Sequence, residues 1–382
     1  MQLLGNPIYV ITVLLLIIVF SEWLGAKKGF TFLGGVLLTI ITAAIVSNFD
    51  LIPSNTDYPL YEGIFNYVAP IAIFFLMLDV KLKGLRKAGV PMITMFLVGS
   101  AGAIIGTFLS YYIVEPQQQV NQSNAVAGML TGTYVGGSAN LNAIALHYGV
   151  NKDGTSFAAI NAADNIASTM WTMLMIFLCP LLQRKFPRRS ATDNINANKE
   201  VEQLDHRKEP INVTDLALLL ALAFGTLFIS QYLNGLSNKK IPTILILTTI
   251  ALILAQIKFI QRLKGGKVMG YFFILIFLAV VGAFCDLGAL MAKGDVALLL
   301  FTWIIILILI HGVIIYLVGA ILKQDWYVIA ISSIAGIGGP TSSAAVATSL
   351  GRSDLRLPAI LVGTIGYAIG TYLGVMVAEI LK

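Results

Sequence analysis

The chain alternates long apolar runs with short polar breaks. Apolar runs recur at about 7–24, 31–48, 63–82, 90–113, 124–149, 154–182, 213–233, 241–258, 269–290, 295–322, 325–351 and 356–381. Most reach the roughly 20 residues that a helix needs to cross a bilayer core about 30 Å thick. Runs of this length exclude barrel strands, which are about ten residues long and alternate in polarity. The pattern predicts an all-α polytopic membrane protein with about 11–13 transmembrane helices. The first run has no basic flank and no small-residue cleavage site after it, so it reads as a span and not as a cleaved leader. The longest polar stretch, 183–210, holds seven Lys/Arg and five Asp/Glu. It reads as a solvated linker between a first membrane repeat, 1–182, and a second, 211–382.

Composition agrees. Only 12% of the 382 residues are charged and 57% are apolar, against about 25% charged in a typical soluble domain. So few charges could not cover a soluble globule, and so much hydrophobicity excludes disorder. The net charge of +6 sits in short loops, as expected of cytoplasmic Lys/Arg and not of a nucleic-acid binder. Cys179 and Cys285 lie in apolar runs and form no disulfide framework. The histidines (147, 206, 311) are scattered, without metal-ligand spacing. His311, alone in an apolar run, reads as a packed structural residue. Asp79 and Asp286 stand near span ends and read as interfacial. No nucleophile elbow, HExxH or phosphate loop is present. No enzyme activity and no cofactor are therefore expected.

The two halves repeat one order of segments. Each has a span ending in an acid (Asp79, Asp286), an apolar span, a glycine-interrupted span, and a final span. At a constant offset Gly136, Gly137, Ala143, Ala145 and Gly149 fall on Gly338, Gly339, Ala345, Ala347 and Gly351, and Thr169 falls on Thr371. Paired interrupted spans in a weakly symmetric chain mark secondary transporters. Counting every run as a crossing would make the repeats parallel. It would also set Lys27/Lys28 and the basic group at 81–87 against those at 184–189 and 258–267, contrary to the positive-inside rule. One run between 114 and 260 is therefore expected not to cross, the short 241–258 being the first candidate. The repeats are then inverted.

The interrupted spans carry the chemistry. In GGSANLNAIA, Gly136 and Gly137 break the helix, and Ser138, Asn140 and Asn142 come next. In the second half Gly338, Gly339 and Pro340 make the break, and Thr341, Ser342 and Ser343 come next. Unpaired backbone inside a membrane must face protein or water. Amides freed at a half-helix N-terminus attract anions, and freed carbonyls suit a cation. Small residues also serve close helix packing. The next span sets Asn161, Asp164, Asn165, Ser168 and Thr172 on one helix face. Asp164 lies about ten residues in, hence about 15 Å deep. An acid there binds an ion, relays a proton or pairs with a base. The matching stripe of the second half is glycine: Gly363, Gly366, Gly370 and Gly374.

The order of Asp79 span, apolar span, GGSANLNAIA and polar-striped span, with GIGGPTSSAAVA in the second half, resembles the YjcL-like family of bacterial integral membrane proteins (domain of unknown function 819). More distantly, GGSANLNAIALHYGVNKDGTSFA is similar to the broken-helix region of bile acid/sodium symporters. Asp164-Asn165 resembles the acid/amide pair of sodium/proton antiporters, in reversed order. The resemblance implies a bacterial plasma or inner membrane location, a core with two discontinuous crossing helices, and elevator-like access coupled to Na⁺ or H⁺. It implies ion and substrate contacts at Ser138, Asn140, Asn142, Thr341, Ser342 and Ser343, and near Asn161, Asp164 and Asn165, with Na⁺ the candidate ion at Asp164 and Asn140. The expected function is secondary transport of a small solute bearing a carboxylate. A cation/proton antiporter without organic substrate is the alternative. A homodimer is compatible with either.

Overall fold

The computed structural model describes residues 4–28, 30, 34–54, 58–78, 80, 88–188, 212–238, 241–285 and 294–382. Asp79, Asp286, the basic group at 81–87 and most of the polar linker lie outside them.

The described residues are helical. The first repeat holds α1 (Pro7–Gly25), α2 (Gly34–Asn48), α3 (Pro59–Leu78, with a π turn over Ile64–Val68), α4 (Val90–Val114), α5 (Ser123–Gly136), α6 (Ser138–Tyr148) and α7 (Gly154–Lys185). Then come α8 (Val213–Leu236), α9 (Thr243–Leu254), α10 (Gly266–Ala283), α11 (Gly294–Ile321), α12 (Trp326–Ile337), α13 (Gly339–Ser349) and α14 (Arg356–Ile380). Eight of these, α1, α3, α4, α7, α8, α10, α11 and α14, are long and apolar enough to cross a membrane, while α2, α9 and α12 are shorter apolar helices. The protein is an all-α, multi-pass membrane protein. Local chemistry starts several helices: Asn6 caps α1 ahead of Pro7, Asp153 caps α7, and Asp325 caps α12.

Both interrupted segments fold back on themselves. If α5 and α6 were collinear, their far ends would be about 37 Å apart at 1.5 Å per residue. Instead Gln122 Nε2 donates to the Tyr148 carbonyl at 3.3 Å, and Ile144 packs on Gly132. At the other pair, Arg352 Nη1 meets Asp325 Oδ2 at 2.8 Å, closing the base of α12 and α13. The sequence suggested discontinuous helices that cross; the structure has two helical hairpins whose arms are about 16–21 Å long at 1.5 Å per residue. Gly137 (φ +83°) and Gly339 (φ +73°) make the tips, in backbone conformations that side-chain-bearing residues adopt only with strain.

Helix α14 shows that the hairpins enter from opposite ends. Its C-terminal end meets the base of the first hairpin, where Tyr148 Oη donates to Glu379 Oε1 at 2.8 Å and Asn124 Nδ2 to the Ala378 carbonyl at 3.3 Å. Its N-terminal end adjoins the base of the second. Between them, Gly366 packs on Gly136 and Gly363 on Pro340. Helix α7 runs past the tips in the opposite sense. It starts beside the first base and ends where Arg188 stacks on Trp326 at the second.

Two packing groups surround this centre. Helices α4, α5, α7, α11, α12, α13 and α14 pack around the tips, with α11 on α4 and α14 on α5 the most extensive contacts. Helices α1, α2, α3, α8, α9 and α10 pack on one another through α2–α10, α3–α10 and α3–α9. The groups meet at an apolar seam where Ala139 and Ala143 of α6 join a cluster with Phe74, Phe75 and Leu247. Elsewhere the seam holds a cavity of about 270 Å³ between α2, α7 and α11, lined largely by alanine and isoleucine.

Candidate functional site

The hairpin tips touch. A Cβ built on Gly137 would stand 3.6 Å from the Gly339 Cα and 3.3 Å from the Tyr367 ring of α14. Two half-helix N-termini, those of α6 and α13, converge here, and neither has a side-chain cap. Their free amides make the junction locally positive.

The structure sorts the candidate residues into three groups. Ser138 and Thr341 are exposed and Ser342 is half-buried, so three tip hydroxyls remain accessible. Asn140 and Ser343 turn inward. Asn140 is fully buried; its Nδ2 donates to the Gly366 carbonyl at 3.3 Å, and its Oδ1 accepts from Thr371 Oγ1 at 2.7 Å. This side chain holds the first hairpin to α14. Ser343 Oγ lies within 3.0 Å of the Gly339 and Pro340 carbonyls and 3.3 Å of that of Ala359. Asn142 shares features of both. Its Nδ2 donates to the Ser138 carbonyl at 2.8 Å, while its buried Oδ1 has no partner.

The third group is the polar face of α7. Asn161 donates to the Phe157 carbonyl and Asn165 to that of Asn161, at 2.9 and 2.8 Å. Both side chains bond back to their own helix. Asp164 differs. It is 4% exposed, and its Oδ1 has no hydrogen-bond partner. No basic residue among the described ones pairs with it. It faces Tyr134, two residues before the first break, and Ser168, one turn along α7. Asp164 thus lies behind the tip junction, on the side opposite α14.

Beyond Asp164 a second network is fully bonded. His311 Nδ1 lies 2.9 Å from the Gly99 carbonyl, and its Nε2 lies 2.8 Å from Ser333 Oγ. Trp171 Nε1 donates to the same Ser333 Oγ at 2.9 Å. The Gly99 carbonyl can only accept, which places the ring proton on Nδ1 in the neutral tautomer. His311 joins α4, α7, α11 and α12, as its structural reading anticipated. Sequence reasoning missed Tyr134, Tyr367, Trp171 and Ser333. Tyr134 carried one usable signal, a phenol in a deep apolar run directly ahead of a helix break.

A family model described as "Protein of unknown function (DUF819)" matches residues 9–382. The chain belongs to this family. The match spans both hairpins, α7 and α14, so the whole candidate site of this DUF819 protein lies inside it. The DUF819 chain is also similar to a protein of Bacillus subtilis (strain 168) described as "Uncharacterized membrane protein YjcL". The two are 26% identical over 358 residues, covering 89% of this chain and 88% of the relative.

Proposed function

We propose that this protein is a secondary active transporter of a small solute bearing a carboxylate, coupled to Na⁺ or H⁺. Asp164 carries the reading. A carboxylate at the centre of a membrane span costs about 2.5–3.5 kcal/mol even on permissive scales. With no basic partner among the described residues to offset that cost, it is accounted for by a proton or cation that binds and leaves. The solute belongs at the tip junction, where two uncapped helix N-termini favour an anionic group and Ser138, Thr341 and Ser342 offer hydroxyls. The opposed hairpins fit an inverted repeat of 1–182 and 211–382. Carriage by the α4–α7/α11–α14 group against the other six helices, across an alanine-rich seam, fits elevator-type alternating access.

The test is thermal stability of the purified protein in detergent. Ligands that bind the folded state raise the midpoint by mass action. A panel of small organic acids, amino acids and sugar acids is screened with and without Na⁺ and across pH. The expected result is one carboxylate class whose stabilisation grows with the coupling ion and is lost in Asp164→Asn. Stabilisation by cations and pH alone, indifferent to every solute, would favour the antiporter, for which a lone buried acid also suffices.

A further inference from the structure

The seam between the two packing groups is not filled along its whole length. The cavity of about 270 Å³ between α2, α7 and α11 follows both long walls, from Leu37 to Ala44 on α2 and from Ala158 to Ile166 on α7. At 1.5 Å per residue those stretches are about 10–12 Å long. Every described residue that lines it is Ala, Ile, Leu, Phe or Cys. Water is a poor occupant, because a buried water needs two to four polar partners. The space is generous for a packing defect, since apolar cavities of about 150 Å³ already take up a benzene-sized ligand. Its back wall is deep, with Ala163 5% and Cys285 2% exposed, and its rim is open, with Ile41 38% and Ile166 46% exposed. Ile166 heads a row of exposed apolar residues on α7, continued by Met170, Met173, Leu174 and Phe177. It lies roughly twelve residues into α7, about 18 Å from its start. The rim therefore opens near mid-depth of a core about 30 Å thick, where it meets hydrocarbon.

We infer that this cavity seats one acyl chain of a membrane phospholipid, which enters between α2 and α7 past Ile41 and Ile166 and reaches back to Cys285. The cavity is continuous with the lipid-facing surface, shares its polarity, and runs along the helices as extended acyl chains do in a bilayer. A chain seated there supplies the partner atoms that the walls of a void lack. The position has a consequence. Helix α2 belongs to one packing group, and α7 and α11 to the other, so the chain is part of the joint between them. Interlocked side chains would hold the seam in one register. A chain that leaves and re-enters fills the seam without fixing it. The assignment requires only that the protein spans a membrane, and depends neither on Asp164 nor on transport.

The probe is a phosphatidylglycerol carrying a diazirine near the end of one acyl chain. It is mixed into phosphatidylethanolamine/phosphatidylglycerol vesicles that hold the full protein. After illumination, labelled peptides are identified by mass spectrometry. Lipid-facing side chains all react to some extent, so α8 sets the background through its exposed Phe224 and Phe228, which do not line this cavity. Wild type should carry label on Cys285, out of reach of a chain that stays on the outer surface. Ala162→Trp fills the cavity from a half-buried position on its wall. It should lose the Cys285 label and keep that on α8. Absence of label on Cys285 in wild type overturns the assignment. Label that persists on Cys285 in Ala162→Trp also overturns it, because the chain then arrives by another route. A parallel arm uses a diazirine fatty acid. Label on Cys285 from the free acid and not from the phospholipid overturns the phospholipid as occupant. If Ala162→Trp fails to fold, Ala162→Leu replaces it, with the Cys285 label reduced relative to α8, and the wild-type result still decides.

Discussion

Asn140 shows how a residue's type can be legible in the sequence while its contacts are not. Its position after a helix break marks it as polar and buried, and it is both. Its direction depends on the hairpin turning back, which aims position 140 at α14, while the hydroxyl of Ser138, two residues earlier, stays open. That turn is not encoded in the spacing. The latch makes a prediction. Asn140→Ala leaves Thr371 Oγ1 without its acceptor and removes the side-chain donor to the Gly366 carbonyl, a loss of about 1–3 kcal/mol. Thr371→Val alone should cost less, because Nδ2 of Asn140 keeps its bond. The double variant should cost less than the sum, since neither partner is then left waiting for the other. Unfolding midpoints of the four proteins close the cycle. Strict additivity would show that the bond carries no coupling energy. Asp164 is the contrasting case. A lone acid on a deep polar stripe was legible in the sequence, while its neighbour Tyr134 comes from another helix and was not.

At the scale of elements, the sequence marks where helices break and stays silent on the path the chain takes beyond each break. Gly137 and Gly339 lie at the breaks because they supply positive φ, and Pro340 because it removes an amide, both local properties. The reversal is decided by contacts remote in sequence: Gln122 with Tyr148 for one hairpin, Arg352 with Asp325 for the other. The second base is an ion network. Arg352 also meets Asp354 at 2.7 Å, and the Asp325 side chain is 1% exposed. Burial alone would push the Arg352 guanidinium down, yet its bonds to Asp354 and Asp325 outweigh this and hold it above the ordinary arginine range. Stability from a group raised in this way is lost only as pH climbs through the raised value. The base should therefore stay closed throughout the alkaline range open to experiment. Arg352→Gln strands Asp325 in a buried position, with an expected loss of up to about 3 kcal/mol; Arg352→Lys should recover part of it. Equal stability of all three proteins would mean that the arms hold themselves together. The glycine stripe on α14 is the complementary element. A methyl group at Gly366 would overlap the Val135 carbonyl and the Gly136 Cα. Gly366→Ala should therefore displace the first hairpin and lower the midpoint by more than Gly225→Ala on α8, where a Cβ meets nothing within 4 Å.

At the scale of the whole molecule, the hairpins settle the conflict between span counting and charge. A hairpin returns to the face it entered, so the segment between 114 and 260 that fails to cross is 123–148, not the short run near 241–258. Lys27, Arg184, Lys185, Arg188, Lys258, Arg262 and Lys264 then share one face. Contacts agree: Tyr271 Oη donates to Glu22 at 2.7 Å, the Lys264 amide to Asp215 at 3.1 Å, and Gln256 to the Val80 carbonyl at 2.9 Å. The positive-inside rule puts that face, with the base of the second hairpin, in the cytoplasm. The two hairpins also differ in cover. The return arm α6 packs on α3 and α9, whereas α13 packs on α7, α12 and α14. It leaves Thr341, Ala345, Thr348 and Ser349 exposed. Lipid-facing surfaces of this protein carry Ile, Leu and Phe, as on α8 and α11; a face of small and hydroxyl residues suits a watery crevice instead. Under the proposed transport reading, the basic face would be the one open to water. Cysteine labelling tests this directly, because Cys179 and Cys285 are buried and contribute little background. In oriented vesicles, Ala345→Cys and Lys264→Cys should react with an impermeant maleimide from the same side, and Lys152→Cys from the other. Na⁺ together with a stabilising carboxylate should slow Ala345→Cys and leave Lys264→Cys unchanged, because Ala345 lies on the group proposed to move and Lys264 lies beside α10 of the other group. Reaction of Ala345→Cys from the Lys152 side would reverse the assigned orientation of the second hairpin. Reaction unaffected by any ligand would mean that α13 is not the arm that closes.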